Sequence, residues 1–106
     1  MNDEITHGTG NVFADLGMPD AAERQTKTRL AMEINELLKA RKLKQVDVAE
    51  LLGIPQPKVS ALVRYRLDGF SVERLMTFLT ALDQDVEIMI RPSRHGEGHV
   101  SVHALR

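Results

Sequence analysis

The chain contains no cysteine, which removes disulfides, thiolate zinc sites and thiol nucleophiles together. It has no run approaching the roughly 18 to 20 apolar residues of a membrane span. Its first residues, Met1-Asn2-Asp3-Glu4, are acidic where a secretory leader would be basic. No membrane association and a cytoplasmic location are therefore expected. Internal repeats and low-complexity tracts are also missing. Ser60, the tail histidines and the scattered carboxylates do not supply the nucleophile, base and orienter that catalysis requires, so no enzyme activity, cofactor or metal is expected. What remains is a chain of 106 residues, enough for one domain with its own core.

A net charge of −1 conceals an uneven distribution. Residues 1–38 carry three basic side chains against seven acidic ones, and residues 67–106 carry four against six. Between them, Lys39, Arg41, Lys42, Lys44, Lys58, Arg64 and Arg66 face only Asp47 and Glu50. Such a basic island suits a polyanion, because phosphate neutralisation supplies most non-specific affinity for DNA. On charge alone an ordinary solvated face is the preferred reading, so the pattern around it has to decide.

Residues 1–22 hold Gly8, Gly10, Gly17 and Pro19, with Val12, Phe13, Leu16 and Met18 as an apolar cluster, and read as an irregular arm. A helix-turn-helix unit is expected over residues 23–83. From about Ala22 to near Lys42, Leu30, Ile34, Leu37, Leu38 and Arg41 fall on one helical face. Gln45 to Leu52 predicts a second helix with Val48, Ala49 and Leu52 inward, stopped by Gly53. After Ile54-Pro55, a third runs from Gln56 to about Arg64, with Pro57 in the first turn and Val59, Leu62 and Val63 inward. Ser71 is a good cap for a fourth helix bearing Val72, Leu75, Phe78, Leu79 and Leu82. Residues 84–92 alternate Val86, Ile88 and Ile90 with Glu87, Met89 and Arg91, which predicts a strand ended by Pro92. Its partner is either the tail, through residues 99–105 of the tail 93–106, or the same strand of a second subunit. The second is preferred, because isologous pairing satisfies the open edge and makes a homodimer.

The informative segment is Gln45 to Leu62. Two short helices that cross steeply need a small residue at the crossing, Ala49, a glycine at the turn, Gly53, and apolar anchors, here Val48, Leu52, Ile54, Val59 and Leu62. The second helix is left with Gln56, Pro57, Lys58, Ser60, Ala61 and Arg64 facing outward, the kind of surface that enters a major groove of double-stranded DNA. Gln45, Ala49, Gly53, Val59, Ser60 and Leu62 match in register the Xre-type, phage Cro and repressor-like helix-turn-helix family, which the chain resembles over roughly Leu30 to Leu82. The resemblance implies an all-α, lambda-repressor-like fold of four to five helices, here with one C-terminal strand pairing across a dimer. It also implies a sequence-specific, dimeric repressor on an inverted-repeat operator.

Carried over by residue, the family implies that Gln45 caps the first motif helix against a phosphate, while Gln56, Pro57, Lys58 and Ala61 face the groove. Lys44, beside Gln45 in the basic loop, joins the phosphate-contact candidates, with Lys58 and Arg64, and Ser60 is a further DNA-contact candidate. Pro57 lacks a side-chain donor and Ala61 offers a methyl, so base reading is expected to rest on Gln56 and Lys58. Tyr65 stands about where the family has a glycine. The Asn11–Asp20 arm, the Phe70-Ser71-Val72-Glu73-Arg74-Leu75 segment and the Asp85-Val86-Glu87-Ile88 strand are similar to the subfamily that includes HigA-like antitoxins. That resemblance implies a small toxin protein as a further partner. His95, His99 and His103 recur every four residues, but Gly96 and Gly98 favour an extended tail over a helical metal face.

Overall fold

The computed structural model describes residues 20–105, so the apolar cluster expected in the arm, Val12, Phe13, Leu16 and Met18, lies outside it. Four helices follow in order: α1, Asp20–Arg41; α2, Gln45–Leu52; α3, Gln56–Val63; and α4, Val72–Ala81. The first begins within the expected arm, with Asp20 and Glu23 in its opening turn, where carboxylates complement the helix dipole. It packs chiefly along α4, while α2 and α3 pack on one another and close over the pair.

The apolar stripes meet as their spacing requires. Leu30, Ala31, Ile34 and Leu38 of α1 join Val48 and Leu52 of α2, Val59 and Leu62 of α3, and Val72, Leu75, Phe78 and Leu79 of α4 in one core. Ile34, Val59, Leu62, Leu75, Phe78 and Leu82 are wholly enclosed. Phe70 and Phe78 meet edge to face at 5.8 Å between centroids, the arrangement favoured by the ring quadrupoles. Two polar links tie distant elements together. The Asn35 Nδ2 of α1 donates to the Leu62 carbonyl in the last turn of α3 at 3.2 Å. Arg41 donates to the Leu82 carbonyl at 2.9 Å and to Asp83 Oδ2 at 3.0 Å, fastening the C-terminal ends of α1 and α4.

All four helices stop in the same way. A residue one or two places beyond each end, Lys42, Gly53, Tyr65 or Asp83, has a positive φ between 55° and 70°. The next amide then donates back five residues: Leu43 to Leu38, Ile54 to Ala49, Arg66 to Ala61 and Gln84 to Leu79. This is the Schellman closure, which satisfies carbonyls that a helix end otherwise leaves open. Glycine is the residue best suited to the left-handed position, yet it fills only the α2–α3 turn. Tyr65 takes that conformation itself, which fixes the end of α3 at Val63 without a glycine.

The expected C-terminal strand is absent among the described residues: residues 84–92 have no regular secondary structure, and the alternative hairpin with residues 99–105 does not form either. Val86 and Val102 pack against the helical core, and the chain reverses between them, where Ser93 Oγ donates to the Glu97 carbonyl at 3.4 Å. The physical reason is that a strand is defined by a partner. The alternation of apolar residues is present in the sequence, but the helices offer no edge to pair with. His95, His99 and His103 lie in this non-helical region and share no helix face.

The shared helix ending makes an opposite pair of outcomes. Gly53→Ala should lower stability by about 1 kcal/mol, from backbone conformation alone, because an added Cβ would meet nothing within 4 Å. Lys42→Gly should raise it by about 0.5 to 1 kcal/mol by relieving the same backbone penalty. Urea denaturation of the two variants beside the parent protein measures both.

Candidate nucleic-acid interface

Helix α3 is an exposed rod anchored along one side. Val59 and Leu62 have no accessible surface, so the 3.6-residue period turns Pro57, Ser60, Ala61 and Arg64 to the opposite side and leaves Gln56 and Lys58 on the two flanks. Gln56, Pro57, Lys58 and Arg64 are exposed, whereas Ser60 and Ala61 are half-buried. Among the described residues this face carries no carboxylate. The six outward positions expected on this helix therefore divide by depth and direction, a distinction that their order in the chain does not contain.

The N-terminal ends of α2 and α3 are open. Lys44 begins α2 and Pro55 begins α3, both with extended backbone and neither with a side-chain cap. The Lys44 carbonyl accepts from the amides of Asp47 and Val48, each at 3.0 Å, while the amides of Gln45 and Val46 have no backbone acceptor. Gln45 is thus the first residue of α2, and the cap position itself belongs to Lys44. In α3 the Pro55 carbonyl accepts from Lys58 and Val59. Pro57 has no amide to satisfy, so its place in the first turn costs no hydrogen bond and leaves the Gln56 amide as the outward donor. Open amides at the positive end of a helix dipole are suited to an anion. The first turn of α4 is different, for Ser71 Oγ accepts from the Arg74 amide at 3.0 Å and closes it.

Lys58 has partners within the protein. Its Nζ donates to the Gly69 carbonyl at 2.9 Å and stands 4.9 Å from the centroid of the Phe70 ring. Gly69 leaves space for it: a Cβ there would lie 2.9 Å from Nζ. Arg74 in turn lies over Phe78, 5.4 Å from the ring centroid. Lys58, Phe70, Ser71 and Arg74 thereby line a shallow cleft beside Ile54 and Pro55. Sequence inspection picked out Lys58 but missed Arg74, which is sixteen positions away and reaches the same cleft because the turn at Gly69 to Ser71, at the start of α4, lies against the Lys58 side chain. The one available signal was Ser71, which marks the start of α4 but says nothing of its neighbour.

The basic island is also divided by the fold. Lys39, Lys42, Lys44, Arg64 and Arg66 are exposed. Arg41 is committed to Leu82 and Asp83, so of the run Lys39, Arg41, Lys42 and Lys44 it is the one already partnered.

Because the Lys58 side chain makes contacts and Arg64 is bonded only through its backbone amide, removing each side chain should affect folding differently. Lys58→Ala should cost about 0.5 to 1 kcal/mol through loss of the carbonyl and ring contacts. Arg64→Ala should change stability by less than about 0.5 kcal/mol. Thermal and urea unfolding in the absence of any ligand provide the comparison.

Comparison with known proteins bears on the same helices. A family described as a helix-turn-helix domain matches residues 12–91. A solved structure, provisionally named an XRE family transcriptional regulator, is 56% identical to this chain; the match covers 82% of this chain and 100% of that one, with a TM-score of 0.78. No curated protein matches the chain.

Proposed function

The chain belongs to the helix-turn-helix domain family, and from that premise we propose that it is a sequence-specific DNA-binding transcriptional regulator whose α3 enters the major groove. The observation that carries this reading is the α3 surface: two fully buried anchors on one side and, on the other, the exposed amide of Gln56 and the cationic groups of Lys58 and Arg64. Gln56, Pro57, Lys58 and Arg64 of that face are exposed in the described subunit, whereas Ser60 and Ala61 are half-buried. The 56%-identical solved chain, named for transcriptional regulation, supports it. The chain is not an enzyme.

In this reading the open starts of α2 and α3 sit against the DNA backbone. Lys44 and the free amides at Gln45 and Val46 take one phosphate, and Arg64 and Arg74 take others. Gln56 reads a base edge from the flank of α3, since a carboxamide can donate and accept in one plane and so match adenine. Ser60 and Ala61 are half-buried and contribute shape and a methyl contact. Lys58 acts as an ordered charge, held over Phe70, and contributes to phosphate attraction more than to base choice.

Regulation by repression follows if two copies bind an inverted repeat, with their α3 helices about 34 Å apart, one helical turn. The finer reading as an antitoxin that neutralises a small toxin would rest on Val12, Phe13, Leu16 and Met18, which lie outside the described residues.

Selection of a preferred duplex from a random pool, followed by anisotropy titration, tests the assignment. On the selected duplex Gln56→Ala should cost about 1 to 3 kcal/mol, and on a scrambled one almost nothing. Arg64→Ala should weaken both duplexes alike and reduce the slope of log K against log salt by about 1. Selection that yields no enriched sequence, or equal losses from both substitutions on both duplexes, contradicts base reading by α3.

A further inference from the structure

The glycine at position 69 is not explained by its backbone. Its φ lies outside the left-handed region that Gly53 occupies at 70°, so an alanine could take the same conformation. What a side chain there would meet is one group. Among the described residues, a Cβ would lie 2.9 Å from Lys58 Nζ and 4.0 Å from Lys58 Cε, with no other atom beyond its chain neighbours within 4 Å. The missing Cβ is thus the space that the Lys58 ammonium fills as it donates to the Gly69 carbonyl at 2.9 Å. The floor of that space is firm. The Phe70 ring beneath Nζ is buried and braced edge to face by Phe78, which Arg74 overlies from the same cleft.

We propose that Gly69 is a specificity-determining positioning residue: by making room for the Lys58 ammonium at its own carbonyl, it commits that charge to the DNA backbone and withholds it from the base edges. The inference rests on the reading of α3 given above, and goes beyond it by giving a role to a residue in the turn before α4.

A lysine near the start of a groove helix is an undiscriminating donor. Its flexible four-carbon stem can carry three N–H groups either to the O6 and N7 of guanine or to a phosphate. The clamp separates these two uses. With one N–H on the Gly69 carbonyl, two remain for a phosphate oxygen in the cleft that Arg74 also lines, so a backbone contact leaves the clamp intact. A base contact requires the ammonium to leave both the carbonyl and the ring, and forfeits what each contributes. Base choice then falls to the exposed Gln56.

Gly69→Ala fills the space without touching α3, and the flexible end of Lys58 is what has to give way. Selection from a random duplex pool is carried out with the parent protein, Gly69→Ala, Lys58→Ala and the double variant, with circular dichroism to verify the helices. The released ammonium should enrich guanine at one further position of the selected sequence, and discrimination between the parent's selected duplex and a scrambled one should fall about three- to tenfold. In the Lys58→Ala background the same Gly69 substitution should change neither, because its whole effect passes through that ammonium. A second measurement needs no substitution. The protons on Lys58 Cε, held beside the Phe70 face, should resonate upfield of an ordinary lysine both in the free protein and on the selected duplex.

An unchanged selected sequence for Gly69→Ala overturns the proposal. So does an equal shift in the Lys58→Ala background, which assigns the effect to the shape of the turn, or an ordinary lysine resonance once DNA is bound. The resonance decides alone if Gly69→Ala does not fold. Failure of the parent protein to enrich any sequence is a separate result: it removes base reading by α3, and this proposal with it.

Discussion

Everything on the outward side of α3 depends on two side chains that face away from it. Val59 and Leu62 are completely enclosed, and through them an eight-residue helix, too short to persist alone in water, is held against α1 and α2. Truncating a buried leucine of this kind typically removes about 2 to 5 kcal/mol, a large share of the stability of a small domain. The Asn35 link to the Leu62 carbonyl adds direction to that anchoring, because it acts on the backbone of the last turn of α3. A rigid outward face is the consequence, and a face of defined shape is what base-edge recognition needs.

The helix ends contribute the second constraint. With α1, α2, α3 and α4 each ending in a left-handed residue and a return hydrogen bond, the loops are short and their directions are fixed. Only one of the four positions is glycine, so three side chains occupy a conformation that costs them conformational energy. The cost is offset by carbonyls satisfied at each helix end and by the tight turns that bring α2 and α3 into contact. Asp83 shows the gain from keeping a side chain there, since its carboxylate meets Arg41 at 3.0 Å. That pair is solvent-facing and adds little by charge alone; the Arg41 bond to the Leu82 carbonyl carries more of the link.

Charge in this protein has two uses that the sequence does not separate. Arg41 and Lys58 belong to the basic stretch, yet Arg41 closes one end of the bundle and Lys58 bridges α3 to the turn before α4. Lys39, Lys42, Lys44, Arg64 and Arg66 remain exposed and generate most of the positive field available to a polyanion. Lys58 lies between the two classes, exposed but oriented by Gly69 and Phe70.

The helices were legible in the chain because their causes are local. Apolar spacing placed the stripes of α1 and α4, Ser71 announced a cap, Gly53 announced a turn, and Pro57 at the second position of α3 was compatible with a helix start. The register from Gln45 to Leu62 also identified the helix-turn-helix family and the exposed Gln56, Pro57, Lys58 and Arg64 of α3, but not that Ser60 and Ala61 are half-buried. What the sequence could not supply were properties of packed neighbours. The union of Lys58 and Arg74 in one cleft and the commitment of Arg41 to Leu82 both depend on contacts between segments apart in the chain. The strand expected at Val86, Ile88 and Ile90 failed for the same reason in reverse: alternation is a local signal, whereas a ladder requires a second edge that this subunit does not contain. Local periodicity therefore determined which residues face inward, and only the tertiary structure decided which of the outward ones are free, because freedom is set by what else the fold brings within reach.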